Sequence, residues 1–357
     1  MQLIRAIIDT SALRSNLRQI KSRAPGSRVM AVVKANAYGH GLVPTALALP
    51  EADAFAVARL EEGIALREAG VRQMIVLLEG VFSAEQLEEA AERRFEIVVH
   101  DPLQVALLER YAGAHRFVVW LKIDTGMNRL GFRAEEFPAV LTRVQGLSTK
   151  PAEVRVMTHL ARADERDCPV TRRQIERFDA LTAHLGLTRS IGNSAGILGW
   201  EHGCGDWVRP GLALYGISPF QLESSGEFGL IPAMTLASTV ITVRRVPRGE
   251  TVGYGGTWSA ERDSRIAILA GGYGDGLPRC LATGTPVLVN GRRAPLVGRV
   301  AMDMIAVDVT ELPEVEVGTR CVLWGRGLEV TEIAAHAGTI AYELLCGVRA
   351  RVPREAI

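Results

Sequence analysis

Cysteine is scarce in this chain and poorly spaced for chemistry. The five thiols, Cys168, Cys204, Cys280, Cys321 and Cys346, are odd in number, and no two form a Cys-x-x-Cys pair. That argues against a disulfide framework or a zinc site and fits reduced thiols in a cytoplasmic protein with no metal. Charge of one sign is missing too: 41 Lys and Arg against 40 Asp and Glu leave a net charge of +1. Neither a nucleic-acid-binding basic field nor an acidic tail is present. No apolar run approaches the roughly 20 residues of a membrane span. At the N-terminus, Arg5 and Asp9 interrupt the apolar stretch before a signal-peptide core can form, so no export is expected. Internal repeats and low-complexity tracts are also lacking. What remains, 48% hydrophobic over 357 residues, is a soluble globular chain long enough for two domains or for one large barrel with an extension.

Short β-rich runs alternate with amphipathic stretches through the first two-thirds. The runs are Val29 to Val33, Ala54 to Ala58, Met74 to Leu78, Phe95 to Val99, Phe117 to Asp124, Val154 to His159, Arg189 to Asn193 and Trp207 to Arg209. Helical patterns lie between them, such as Glu61 to Ala69 and one opening at Ser83 with Gln86 three residues on, a capping-box signal. Alternating strand and helix implies parallel strands with right-handed crossovers, and eight of them imply a (β/α)8 TIM-type barrel over residues 1–228. An open doubly wound sheet is the alternative. From about Ile231 the pattern becomes mostly β: Thr239 to Val243, Arg265 to Leu269, Thr285 to Val289, Met304 to Val309 and Arg320 to Trp324, with a hairpin signal at Asn290-Gly291. Only Val330 to Ala337 and Tyr342 to Cys346 look helical. Residues 229–357 therefore form a second, β-rich domain, joined through the polar segment Glu223 to Gly229.

A barrel carries its active site at the C-terminal ends of its strands. Polar groups collect there: Lys34 after the first run, Lys122 and Asp124 leading to Arg129, His159, Asn193-Ser194, and Arg209. Any one of these fits a loop residue; together on one rim they fit a site better. Lysine is expensive to bury, and at the mouth of a core strand its amine suits Schiff-base chemistry, with a structural salt bridge as the plain alternative. Asn193 to Gly196 and Arg209 to Gly216 are rich in small residues that let backbone N–H groups approach a phosphate, and Ser194 adds a hydroxyl. Barrel-closing turns would read the same way.

The segment Val32-Val33-Lys34-Ala35-Asn36-Ala37-Tyr38-Gly39-His40-Gly41 resembles the pyridoxal-phosphate attachment signature of alanine racemases at every position. Lys122 to Gly131, Asn193 to Gly196, Arg209 to Gly216, Val252 to Gly255, Gly272 to Gly276, Gly298 to Asp303 and Arg351 to Arg354 are similar to that family in sequence and order, so the resemblance spans both domains. It implies pyridoxal 5'-phosphate as cofactor and interconversion of L- and D-alanine by two bases. Lys34 would hold the cofactor and act on D-alanine, and Tyr254 would act on L-alanine. Tyr38, Ser194, Gly211, Leu212 and Tyr342 would bind the phosphate, with Asn193 beside them. Arg209 would face the pyridine nitrogen, with His159 linking it to Tyr254. Arg129 and the Met302 backbone would hold the substrate carboxylate. Tyr273 would line the site, and Asp164, Arg279, Arg299 and Ile340 its entrance. Lys122 can carry a carbamate in this family. His40 and Tyr111 are read as structural.

A lone tyrosine between glycines is otherwise a hairpin aromatic, and a phenol with a free pKa of about 10 needs a cation nearby to act as a base. Because Tyr254 and Met302 lie in the second domain, a partner copy could deliver them to the barrel mouth, and the family does use a homodimer with shared sites. The resemblance leaves open a supply of D-alanine for peptidoglycan or the breakdown of L-alanine. Other pyridoxal-phosphate barrels remain as alternatives: a decarboxylase, against which Arg209 speaks because those relatives place an acidic residue there; a broad-specificity racemase or a lyase; or a non-enzymatic cofactor-carrying regulator, which would be shorter.

Overall fold

The computed structural model describes residues 3–221 and 223–357; Met1, Gln2 and Leu222 lie outside it, and with them the start of the N-terminal stretch read above. Strand β1 (Ile4–Ile8) is followed by eight parallel strands: β2 (Arg28–Val32), β3 (Ala54–Val57), β4 (Met74–Leu77), β5 (Glu96–Val99), β6 (Val118–Lys122), β7 (Glu153–Met157), β8 (Arg189–Ser190) and β9 (Trp207–Val208). They pair in order from β2 to β8, and β9 returns to β2 with Arg28 opposite Trp207. Side-chain and main-chain bonds close the ring between the two shortest strands, Ser190 Oγ donating to Trp207 O at 2.9 Å and Arg209 N to Gly192 O at 2.8 Å. Strands β3 and β5 are buried along their whole length; β3 accordingly reads as an unbroken apolar run, and β5 is apolar but for Glu96. At the floor of the barrel Trp120 and Trp207 meet edge to face at 6.1 Å, beside a buried Arg155–Glu96 ion pair. The Ser83 cap forms, accepting from Gln86 N at 3.2 Å, but Gln86 reaches back to Phe82 N, one residue before the expected partner.

The β-rich part comprises β10 (Met234–Val246), β11 (Thr251–Val252), β12 (Trp258–Ser259), β13 (Ser264–Ala270), β14 (Pro286–Val289), β15 (Arg292–Val297), β16 (Met304–Asp308), β17 (Arg320–Trp324) and β18 (Arg354–Ala356). The long strand β10 pairs with β17 and β1 through its first half and with β13 through its second, so the chain of pairings from β10 through β17, β14, β15, β16 and β13 closes on itself. Asn290 and Gly291 both have positive φ, 49° and 77°, as a two-residue hairpin of this twist requires.

Strand β1 departs from the expected division. It falls within the segment assigned to the barrel, 1–228, yet it pairs antiparallel with β10 and parallel with β18, so the β sheet takes in both ends of the chain. The expected joining segment is also packed rather than loose. Ser225–Phe228 forms a short 3-10 turn whose Phe228 is buried 5.4 Å from Phe220, and Glu223 pairs with Arg166 at 2.6 Å.

Candidate active site

Lys34 leaves the C-terminal end of β2, and the backbone after it turns left-handed. Ala35, Asn36 and Ala37 have φ of 53°, 54° and 54°, and Tyr38 follows at 50°. Four consecutive non-glycine residues there cost about 1–2 kcal/mol each, so the surroundings must hold the turn wound. Glu62 accepts from Ala35 N at 2.7 Å and from Ala58 N at 2.9 Å, tying the turn to the end of β3. Asn36 Oδ1 accepts from Leu42 N at 2.9 Å. Arg354 Nε donates to Gly39 O at 2.6 Å. Gly39 admits no side chain, because a Cβ would stand 2.0 Å from Leu345 O in the helix Ala341–Gly347 of the β-rich part.

The turn delivers the buried Tyr38 to an aromatic cluster, its ring stacked 4.9 Å from buried Tyr215 and tilted 5.7 Å from the partly exposed Tyr342. Tyr215 in turn donates to Val32 O at 2.9 Å, anchoring the stack to β2. The Tyr38 hydroxyl reaches Gly211, where a Cβ would lie only 2.5 Å from it. Ser194 completes this corner: its Oγ accepts from Gly211 N and from Ala213 N, each at 3.1 Å, and its own O–H remains available to donate. A tyrosine hydroxyl and a serine O–H held by backbone N–H groups at a glycine-lined corner fit a phosphate. Asn193 uses its side chain differently, accepting from Gly196 N at 2.9 Å and donating to Leu160 O at 3.3 Å; it caps the turn that presents Ser194.

Across the rim stands a group of cations. Arg209 is buried and donates to Ser190 Oγ, Thr158 O and Ile191 O; its Nη2 lies 3.5 Å from His159 Nδ1. Among the described residues no carboxylate pairs with it, and burial lowers its pKa to about 10. A buried guanidinium lacking a counter-ion is costly and suits a ligand that presents an acceptor. Burial, followed by Arg209, Lys122, Arg129 and Lys34, holds His159 well below its usual pKa and therefore neutral. Burial likewise brings the Lys122 amine down to about 8, helped by Arg209, Arg129 and Lys34. Asp124, the neighbouring carboxylate, accepts from Gly126, Met127 and Asn128 N at 2.9, 3.0 and 3.1 Å, shaping the loop that carries Arg129.

The structure thus gathers Lys34, Tyr38, Lys122, Arg129, His159, Ser194, Arg209, Gly211 and Leu212 on one rim, with Tyr342 reaching it from the β-rich part. Tyr342 is raised to about 12 by burial and by Asp164. Tyr254, Tyr273 and Met302 stand elsewhere. Tyr254 is 71% and Met302 52% exposed, and among the described residues no hydrogen bond or ion pair joins these three to the rim. The Met302 loop is fixed by Gly274 N donating to Met302 O at 2.8 Å and by Arg351 clasping Asp275 and Asp303 at 2.7 Å each. Glu62, Tyr215 and Arg354 position the site without having been singled out. Two of them lie inside the matched motifs, whereas Glu62 carries no signal beyond an acidic residue in the first turn of a helix.

Comparisons with known proteins agree over both parts of the chain. A profile described as alanine racemase, N-terminal domain, matches residues 8–219, and one described as alanine racemase, C-terminal domain, matches 233–356. The alanine racemase of Shewanella sediminis is 49% identical over 348 residues, covering 98% of this chain and 97% of its own. The biosynthetic alanine racemase of Escherichia coli is 47% identical over 353 residues, 99% of this chain and 98% of its own. Among solved structures, the biosynthetic alanine racemase of Pseudomonas aeruginosa superposes with a TM-score of 0.97 at 45% identity, with each chain fully covered.

Proposed function

The chain belongs to the alanine racemase family, and we propose from that premise how its own residues carry out the reaction. It is a pyridoxal-phosphate-dependent racemase that interconverts L- and D-alanine. The observation that carries the residue-level reading is the rim itself, where Lys34, an unpaired buried Arg209 and the Tyr38–Ser194–Gly211 corner converge. Bound there, pyridoxal phosphate supplies the electron sink that weakens the Cα–H bond of alanine.

Lys34 holds the cofactor and exchanges the α-proton of D-alanine from one face. Tyr38, Ser194, Gly211, Leu212 and Tyr342 take the phosphate, and Arg209 serves the pyridine nitrogen. Arg129 and the Met302 backbone orient the substrate carboxylate, with Tyr273 alongside. Tyr254 exchanges the α-proton of L-alanine from the opposite face. The His159 geometry supports that role: with Nδ1 turned to the Arg209 guanidinium, a neutral ring carries its proton on Nε2, from which it can donate to a phenolate. Lys122 carries a carbamate that orients Arg129, a reading supported by its lowered pKa, since only a neutral amine adds to carbon dioxide.

Tyr254 and Met302 reach the rim from a second copy, so the working unit is a homodimer with shared sites; their exposure on the single chain supports this. Among the described residues no helix is long and apolar enough to cross a membrane. The chain acts in the cytoplasm, and relatives named biosynthetic support a supply of D-alanine for peptidoglycan over the catabolic direction.

Borohydride reduction of the holoenzyme followed by peptide mapping tests the assignment. The label is expected on Lys34, and Lys34→Ala is expected to lose both the label and nearly all racemisation. A label on Lys122 or any other lysine would refute it.

A further inference from the structure

One buried group beside the cofactor lysine has no part in the chemistry above. His40, six residues after Lys34, is 1% exposed, and its ring stacks on Tyr215 at 4.4 Å. Its Nδ1 lies 3.1 Å from Ala37 O and 2.9 Å from Tyr38 O, two carbonyls of the left-handed turn. Its Nε2 is buried and has no hydrogen-bond partner. His40 also lines a cavity of about 70 Å³ together with Ile8, Leu13, Pro44, Thr45 and Arg354.

Two carbonyl oxygens at Nδ1 require a proton there. A second proton on Nε2 would be a buried donor with no acceptor, next to the Arg354 cation. The ring is therefore the neutral Nδ1–H tautomer, consistent with a pKa lowered to about 4 chiefly by burial. Among the described residues it is the only side chain bonded to the Ala37 and Tyr38 carbonyls; Glu62 and Asn36 serve N–H groups, and Arg354 serves Gly39 O.

We propose that His40 is a positioning residue for the cofactor: its Nδ1–H, shared between Ala37 O and Tyr38 O, keeps the turn wound so that Lys34 and the Tyr38 hydroxyl face one site. This rests on the reading that Lys34 and Tyr38 hold pyridoxal phosphate. Without the donor, the turn can relax toward right-handed backbone, moving both cofactor contacts at once. Filling the space is not sufficient; the N–H must stand at the Nδ1 position.

Three variants separate the donor from the packing. His40→Asn keeps an N–H near the Nδ1 position, His40→Gln moves it toward Nε2, and His40→Leu keeps volume without a donor. Each full-length protein is stripped of cofactor and titrated with pyridoxal phosphate, and the holo forms are reduced with borohydride to measure trapping at Lys34. His40→Asn is expected to bind within about threefold of wild type, and His40→Gln and His40→Leu about tenfold more weakly, the scale of one lost buried hydrogen-bond partner. Trapping at Lys34 should fall in the same two variants, and kcat should fall with KM for alanine little changed. Should His40→Leu not fold, the Asn and Gln pair decides. Equal binding by Asn and Gln, whether wild-type or impaired, overturns the proposal. A wild-type protein that binds no pyridoxal phosphate would instead refute the function on which it rests.

Discussion

Gly211→Ala is the substitution whose effect follows most directly from the geometry. Gly211 sits at φ −109°, so alanine meets no left-handed penalty there; the conflict is steric. The new Cβ would lie 2.5 Å from the Tyr38 hydroxyl oxygen and 3.1 Å from the ring carbon that bears it. Ordinary contact lies near 3.5 Å, so the hydroxyl must move by about 1 Å. It cannot do so freely, because the ring is buried and packed between Tyr215 and Tyr342. Overpacking of this kind costs about 1–3 kcal/mol of stability. The displaced hydroxyl would also lose the hydrogen bond proposed for it to the cofactor phosphate, worth about 1.5–3 kcal/mol, which corresponds to roughly 10- to 150-fold weaker cofactor binding. Titration of the apoprotein with pyridoxal phosphate measures this, and kcat at saturating cofactor should stay near wild type because Lys34 and Arg129 are untouched. The double variant with Tyr38→Phe gives the stricter test. Phenylalanine removes the clashing oxygen, so the two substitutions should be non-additive in both stability and cofactor affinity. A Gly211→Ala protein that binds cofactor within about twofold of wild type, or a strictly additive double variant, would refute the reasoning.

Tyr254→Phe should cripple turnover in both directions, by about 10²–10⁴-fold, while α-proton exchange of D-alanine with solvent deuterium through Lys34 survives better than that of L-alanine. Equal loss from both enantiomers would reduce Tyr254 to a positioning role. Mixed after dissociation with Lys34→Ala protein, Tyr254→Phe protein should regain activity up to about a quarter of wild type, since half of the dimers are mixed and each mixed dimer holds one intact site. For Lys122, held at about 8 by burial and by Arg209, Arg129 and Lys34, the unfolded chain binds the extra proton. Stability therefore rises with pH from about 8 toward 10, at up to about 1.4 kcal/mol per pH unit from this group. In carbon-dioxide-free buffer, urea unfolding of Lys122→Met should lack that increment, and an identical pH slope in both proteins would contradict it.

Periodicity made most of the barrel strands legible because runs such as β3 and β4 are short, apolar and buried along most of their length. Their lengths were less legible. Arg189 to Asn193 and Trp207 to Arg209 shorten to the two-residue strands β8 and β9, beyond which a single main-chain bond, Arg209 N to Gly192 O, continues the closure. Strand β1 illustrates a different limit: Ile4–Ile8 is a plausible barrel strand in isolation, and only its non-local pairing with β10 assigns it to the other sheet. At the site, residue types and motif order identified the chemical groups, but not the supports. That Glu62 would bond to Ala35 N, or Arg354 to Gly39 O across 315 positions of sequence, depends on contacts no local pattern encodes. Nor does the sequence pattern reveal that Lys34 is followed by four left-handed residues, none of them glycine.

That strained turn connects the electrostatics of the site to its construction. The rim carries Lys34, Lys122, Arg129 and Arg209, and two carboxylates beside it are already engaged, Asp124 accepting from three backbone N–H groups and Glu62 from Ala35 N and Ala58 N. Such a well repels protons, as His159 and Lys122 register, and it attracts a phosphate and a substrate carboxylate. Mutual repulsion among these cations favours swinging the half-buried Lys34 out toward solvent. Anchoring the residues after Lys34 in a conformation that ordinary backbone avoids, and fastening it at Glu62, Asn36, His40 and Arg354, removes that escape. The proposed second base shows the opposite arrangement. Tyr254 stands on a bend between Gly253 and Gly255, both at positive φ, and is exposed rather than packed. Its own chain brings the Arg299 guanidinium against the neighbouring Gly255, and in the proposed two-fold pairing each tyrosine would come to the other copy's rim, where the cation well would stabilise its phenolate.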